Sequence, residues 1–183
     1  MVKTLDNQII QEDCFSEIKT KGQEIIPYLE ELINKDDLSW EPHFGFKAIN
    51  IETNWIQREP ALQQINNINK IKQMGILKVP KRSTYNWHVD EYRLACVNLL
   101  ISKNHNSHTL FGNYVNNNYY ENFVSNFIEL EYKPSTFYLF NNKFTHSVVN
   151  LDYRDRFLLS LYFEEQLPYK ILKEKFKLTS MII

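Results

Sequence analysis

Residues 75–102 read GILKVPKRSTYNWHVDEYRLACVNLLIS. They form three short runs rich in aliphatic and aromatic residues, 75–82, 84–90 and 93–102, broken by Pro, Lys, Arg and acidic residues. The same texture continues outward toward the C-terminus in runs at 108–115, 126–133, 135–141, 145–150 and 154–164. About eight short strands with no helix between them predict two antiparallel sheets packed face to face, a jelly roll whose mouth can hold a ligand. The only biased stretch, Asn116 to Asn118, sits in an Asn- and Tyr-rich region at 113–122 and reads as a surface excursion; no repeat of 20–50 residues occurs. Outward toward the N-terminus, Lys21 to Asn34 places Ile25, Ile26, Leu29, Leu32 and Ile33 at the spacing of one helical face. A second helix starts at Pro60 and carries Leu62, Ile65, Ile68 and Ile71 until Gly75 supplies a stop. Phe44 to Glu52 reads as a strand, and Trp55 to Glu59 is too short to classify. The expectation is one mainly β domain over 1–183. Helical and β support at 1–74 braces a jelly-roll core at 75–164 with two helices, and 165–183 is a C-terminal tail.

Composition narrows the class of partner. The 183 residues are 43% hydrophobic, 14% aromatic and 23% charged, which suits a folded globular domain with a sizeable core. Lys plus Arg is 21 and Asp plus Glu is 22, a net charge of −1 that gathers neither nucleic acid nor anionic lipid. Cys14 and Cys96 form no CxxC pair and no zinc-type cluster, which fits a reducing compartment, with the cytosol as default. The N-terminal stretch MVKTLDNQIIQEDC lacks the apolar run of a signal peptide, and no window approaches the ~20 apolar residues of a membrane span. A cytoplasmic protein with no membrane partner is the expectation.

The chemistry centres on Tyr85-Asn86-Trp87-His88-Val89-Asp90. Strand alternation points His88 and Asp90 to one side and Trp87 and Val89 to the other, so one nitrogen and one oxygen ligand converge. A third ligand from another strand completes two histidines and one carboxylate on one face of an octahedron, leaving three positions open. His146, 56 residues after Asp90 and at the start of the seventh strand, is the best candidate. An HxD alone reads equally well as a histidine and a carboxylate side by side on a sheet rim. Arg156 adds weight, because it opens the run RFLLSLYF, where Arg156, Leu158, Ser160 and Tyr162 share one face and both faces look buried. A buried guanidinium needs a carboxylate partner, either a ligand or an internal one such as Asp152 or Asp155.

His88-Val-Asp90, then His146, then Arg156 ten residues on, resembles the Fe(II)/2-oxoglutarate-dependent oxygenases. The pattern spans residues 85–163, and the runs HVDEYRLACVNLLI and THSVVNLDYRDRFLLSLYF are most similar to small prolyl-hydroxylase-like and aspartyl/asparaginyl-hydroxylase-like members, including phage-encoded ones. The resemblance implies a double-stranded β-helix of the cupin-like type. It implies Fe(II) on His88, Asp90 and His146, with Arg156 gripping the distal carboxylate of 2-oxoglutarate beside Ser160. Arg154 is the competing choice for that grip. Asn98 is similar to a polar residue such enzymes place on the third strand near the cosubstrate. Arg93 is similar to the arginine that hydroxylase relatives carry soon after the metal motif, where it could hold a substrate or cosubstrate carboxylate; its other reading is a solvent-facing partner of Glu91.

The implied activity is a dioxygenase reaction. It consumes 2-oxoglutarate and dioxygen, releases succinate and hydroxylates a C–H bond of an amino acid or of a peptide or protein side chain. Two rivals stand beside it: a jelly-roll binding module without turnover, and a cupin-like metalloenzyme that does not use 2-oxoglutarate. Arg93, Arg58 and Lys81 are expected near the mouth and suggest a substrate carboxylate; should nucleic acid be the substrate instead, 113–122 would supply base contacts. His43, His105 and His108 read as surface histidines, and Tyr85 and Trp87 as core or pocket wall.

Overall fold

The computed structural model describes residues 9–22, 24–102, 106–117 and 120–182, without the side chains of 114–117, 120–123 and 125. The N-terminal half runs α1 (Gln11–Cys14), β1 (Phe15–Lys21), α2 (Ile25–Ile33), β2 (Glu41–His43), β3 (Phe46–Ile51), α3 (Trp55–Arg58) and α4 (Pro60–Ile68). Eight strands follow: β4 (Ile71–Val79), β5 (Ser83–His88), β6 (Ala95–Leu100), β7 (Ser107–Asn117), β8 (Tyr120–Glu129), β9 (Thr136–Asn141), β10 (His146–Asn150) and β11 (Arg156–Phe163), before α5 (Tyr169–Leu178).

These strands make two antiparallel sheets, the jelly roll expected. The large sheet has the order β1-β9-β6-β11-β4-β3-β2 and the small one β5-β10-β7-β8. Strands β4 to β11 thus alternate between the sheets, save that β7 and β8 both lie in the small one, and β1, β2 and β3 extend the large sheet at its edges. Period-two patterning gives the large sheet two apolar faces. Its outer face, with Met74, Ile76, Val97, Leu99, Phe137, Leu139, Leu159 and Leu161, is covered by Ile25 and Leu29 of α2, Leu62 and Ile65 of α4, and Leu172 and Phe176 of α5. Its inner face meets the small sheet through Cys96, Tyr138 and Phe140 against Phe111.

The two helices start together through one buried carboxylate. Glu59, 1% exposed, accepts from the amide of Ala61 at 3.1 Å and from those of Glu24 and Ile25 at 2.8 and 2.9 Å. One side chain therefore satisfies orphan N–H groups at the N-termini of both α2 and α4.

Three expectations are corrected. The second helix stops at Ile68, not Gly75: Asn69 is extended, Asn66 accepts from the amide of Ile71, and Ile71 opens β4. Gly75 lies inside β4, where a Cβ would stand 3.1 Å from the carbonyl oxygen of Ile49, so it admits close approach of β3 instead of stopping a helix. Residues 165–183 include α5, a third bracing helix with Tyr169, Leu172 and Phe176 buried; its lysines at 170, 173, 175 and 177 mask the apolar stripe. The Asn-rich stretch belongs largely to the arms of the β7–β8 hairpin, and Asn118 and Tyr119 lie outside the described residues.

Candidate metal centre

β5 and β10 are neighbours in the small sheet, and His88 pairs in register with His146. Asp90 follows β5 by two residues. Its amide donates to the carbonyl of Asn142 at 3.0 Å, and Lys143 Nζ holds the carbonyls of Asp90 and Glu91 at 2.7 and 2.8 Å. The result brings His88, Asp90 and His146 together, with one potential ligand atom from each, all within 4.8 Å of one another.

Each imidazole is oriented by its own backbone. His88 Nδ1 lies 2.8 Å from the carbonyl oxygen of Asn86, and His146 Nδ1 lies 2.8 Å from that of Phe144. A carbonyl only accepts, so Nδ1 carries the proton in both rings and Nε2 keeps its lone pair. Both Nε2 atoms face Asp90 Oδ1, at 3.3 Å from His88 and 3.7 Å from His146. The other oxygen, Oδ2, accepts from Arg93 Nε at 2.8 Å and Asn142 Nδ2 at 2.7 Å and lies 2.6 Å from Arg93 Nη2 in an ion pair. Burial would raise the Asp90 carboxyl, but the neighbouring His88 and the Arg93 charge outweigh it and hold the group well below the usual carboxylate range. Burial, helped by His88, pushes His146 down to about 4, so its imidazole is neutral and able to ligate near pH 7. Phe140 and Phe111 wall His146 in, at 4.9 and 6.0 Å between ring centroids.

Arg156 lies at the other end of the barrel interior. It is 1% exposed and reaches the small sheet, where Nη2 donates to Thr109 Oγ1 at 2.7 Å and Nη1 to the His108 carbonyl at 3.4 Å. Its Nε has no partner, and among the described residues no carboxylate lies within ion-pair distance. The two internal candidates are committed elsewhere: Asp152 pairs with Arg154 at 3.2 Å, and Asp155 with Lys78 at 2.7 Å. Arg154 itself is exposed. The Tyr132 ring lies 5.5 Å from the Arg156 guanidinium, and burial lowers the basicity of Arg156. Between the two ends, Ser160 on β11 stands opposite Asn98 on β6, both buried, and Ser160 Oγ accepts from Arg93 Nη1 at 3.1 Å.

No family model and no curated protein matches the sequence. Among solved structures, a prolyl-4-hydroxylase from Pseudomonas putida is similar at 13% identity, over 81% of this chain and 91% of that one, with a TM-score of 0.56. AviO1 from Streptomyces viridochromogenes Tue57 is similar at 13% identity over 85% and 92%, with a TM-score of 0.55. A 2OG-Fe(II) oxygenase family oxidoreductase from Burkholderia pseudomallei follows at 12% identity over 79% and 80%, TM-score 0.54. The chain has the 2OG-Fe(II) oxygenase fold.

Within this oxygenase fold the remaining candidates separate clearly. Arg93 turns inward to Asp90 and Ser160, away from Glu91. Arg58 stacks on Trp55 at 5.6 Å, in the helical layer, and Lys81 precedes β5, on the order of 20 Å along the strand from His88. Neither stands at the mouth, which corrects that expectation. His108 pairs with Glu129 at 2.6 Å across β7 and β8, and His105 lies outside the described residues. Trp87 stacks on Phe127 at 5.5 Å.

Asn142 escapes the sequence reading, while Tyr85 proves a pocket wall and His43 an exposed histidine, each with a placement the sequence does not give. A bulge between the His146–His88 and Val148–Tyr85 pairs adds one residue to β5, and the Tyr85 ring packs 4.2 Å from that of His88. Strict alternation puts Tyr85 on the opposite face, so no sequence signal reveals this. His43, near the tip of the β2–β3 hairpin, is exposed, and partial burial and the Arg93 charge lower its basicity. Phe44 and Gly45 form the tip at φ 44° and 88°, and Gly45 lies against Tyr85. Asn142, in the turn after β9, carries no motif at all.

Proposed function

We propose that the protein is an Fe(II)- and 2-oxoglutarate-dependent dioxygenase that hydroxylates a C–H bond of an amino acid or of a peptide or protein side chain. His88 Nε2, Asp90 Oδ1 and His146 Nε2 would hold the metal, and Arg156 the distal carboxylate of 2-oxoglutarate, with Ser160 and Asn98 lining the path between. The observation that carries this reading is Arg156: a buried guanidinium with an unpartnered Nε and, among the described residues, no carboxylate within ion-pair distance, in the same barrel as a facial triad. Leaving a buried charge so poorly met is costly, and an anionic ligand removes the cost.

The iron–cosubstrate pair, when bound, would activate dioxygen and supply the oxidant for the C–H bond. The chain's own residues do the rest. The Nδ1–H bonds of His88 and His146 fix the tautomers, Asp90 stays ionised, and Phe111 and Phe140 exclude water from one side of the metal position. Tyr85 stands on the open side and would touch the substrate. Two buried free cysteines fit a reducing compartment such as the cytosol. Dioxygen and a small-molecule or peptide substrate are the partners this reading requires. The test is a screen of amino acids and short peptides for succinate formation above the uncoupled background. Stimulation by an amino acid or peptide is expected; stimulation only by a nucleoside or oligonucleotide would contradict the substrate class.

A further inference from the structure

The two oxygens of Asp90 are treated differently by the fold. Oδ1 faces the two imidazole Nε2 atoms, whereas Oδ2 accepts two N–H groups, from Arg93 Nε at 2.8 Å and Asn142 Nδ2 at 2.7 Å, and forms an ion pair with Arg93 Nη2 at 2.6 Å. An oxygen with two lone pairs is saturated by that set. The clamp is braced from three elements. Arg93 lies between Asp90 and β6 and reaches Ser160 on β11; Asn142, 1% exposed, lies in the turn after β9; and Lys143 fixes the backbone carbonyls of Asp90 and Glu91.

We propose that Arg93 and Asn142 are positioning residues that occupy Asp90 Oδ2, so that this carboxylate offers a divalent cation one oxygen only. A free carboxylate can bind such a cation with one oxygen or with two. Two would consume one of the three coordination positions that a chelating cosubstrate and dioxygen need. The clamp keeps that position open. This inference rests on the metal-site reading of His88, Asp90 and His146, but not on the use of 2-oxoglutarate, and it assigns Arg93 a different task from gripping a substrate.

The sign of one measurement separates positioning from simple electrostatics. Arg93 is a cation beside the metal position, so if charge were its only influence, Arg93→Met would bind metal more tightly. Positioning predicts the reverse, a loss on the order of tenfold or more, as is typical when an outer partner of a ligand is removed. Titration of the full chain with Co(II), followed by its visible spectrum, reads both affinity and the ligand set. We expect Arg93→Met and Asn142→Ala each to bind Co(II) at least tenfold more weakly than the native chain, with a visible spectrum altered by the exchange of one water ligand for the second carboxylate oxygen. Asn142→Ala changes no charge and removes few atoms, so it keeps the test open should Arg93→Met fold poorly. Arg93→Lys, which retains a donor for Oδ2, should recover most of the native spectrum. Co(II) binding in both variants that is as tight as in the native chain, or tighter, with an unchanged spectrum, overturns the proposal. A native chain that takes up no Co(II) overturns the metal-site reading along with it, and that failure is seen before any variant is made.

Discussion

At the metal end of the barrel Arg93 meets a carboxylate with two of its nitrogens and a hydroxyl with the third; at the far end Arg156, more deeply buried, meets a hydroxyl and a carbonyl and leaves Nε with nothing. The first arginine is complete within the chain. The second is not. A guanidinium that already holds its carboxylate serves the protein's own geometry, while a buried one without a carboxylate is half of an interaction whose other half comes from outside. The contrast also separates two kinds of preorganisation. The proposed metal ligands are fixed by hydrogen bonds that exist before any metal arrives, and the proposed cosubstrate end is fixed by packing that would make an anion welcome.

The largest expected effect comes from breaking the complete end. Asp90→Ala should abolish Fe(II) binding at micromolar metal, since it removes the one oxygen that faces both imidazoles; full iron occupancy in the variant, measured by metal analysis after desalting, would refute the ligand set. The variant should still fold, because the apolar layer under α2, α4 and α5 lies on the other face of the large sheet.

Arg156→Met probes the incomplete end, and its two readouts should move in opposite directions. The apparent constant for 2-oxoglutarate should rise at least tenfold, because a charge-assisted bidentate contact contributes about 1.5–3 kcal/mol and 1.4 kcal/mol is one order of magnitude. Thermal stability of the metal-free protein should hold or increase, since an apolar side chain replaces a poorly met buried charge. A variant that loses stability and keeps its affinity for 2-oxoglutarate would make Arg156 a structural residue.

The pH dependence of the metal-free protein sharpens the comparison further. His146 is held neutral, with its pKa lowered from 6.5 to about 4, so between those values the unfolded chain binds more protons than the folded one. The stability linked to this group is therefore complete above pH 6.5 and is lost as pH falls toward 4, by up to about 3 kcal/mol. His146→Gln should flatten that slope in denaturant titrations at pH 7 and pH 4.5. An equal slope in both proteins would place the acid sensitivity elsewhere. The smallest effect belongs to Arg154→Met, which removes an exposed ion pair with Asp152 and should change the 2-oxoglutarate constant less than twofold.

Much of this contrast was legible in the residues themselves. His88, Asp90 and His146 stand out because metal ligation needs nitrogen and oxygen donors at strand-compatible spacing, and Arg156 because a cation opens an otherwise apolar strand. The strands around them follow from apolar runs bounded by Pro, Asn and Ser. Other features depend on information that local sequence does not carry. Tyr85 reaches the His88 ring only through a bulge, and a bulge is set by the partner strand's register. Asn142 matters only because its turn ends beside Asp90, 52 positions earlier in the chain. β1 joins the large sheet through β9, and α5 covers that sheet, each through partners distant in sequence, and neither displays a strong periodic stripe of its own.

The central claim is that a facial triad and a carboxylate-seeking arginine serve one bound pair, metal and 2-oxo acid. Anaerobic addition of Fe(II) and then 2-oxoglutarate to the full chain, followed by visible absorption, tests both together, because the chelate gives a weak charge-transfer band that neither component gives alone. The native protein should develop the band, saturating with 2-oxoglutarate, and Arg156→Met should need at least tenfold more of it to reach the same absorbance. Iron bound with no band at any concentration of 2-oxoglutarate, or a band that forms equally well in Arg156→Met, would contradict the account.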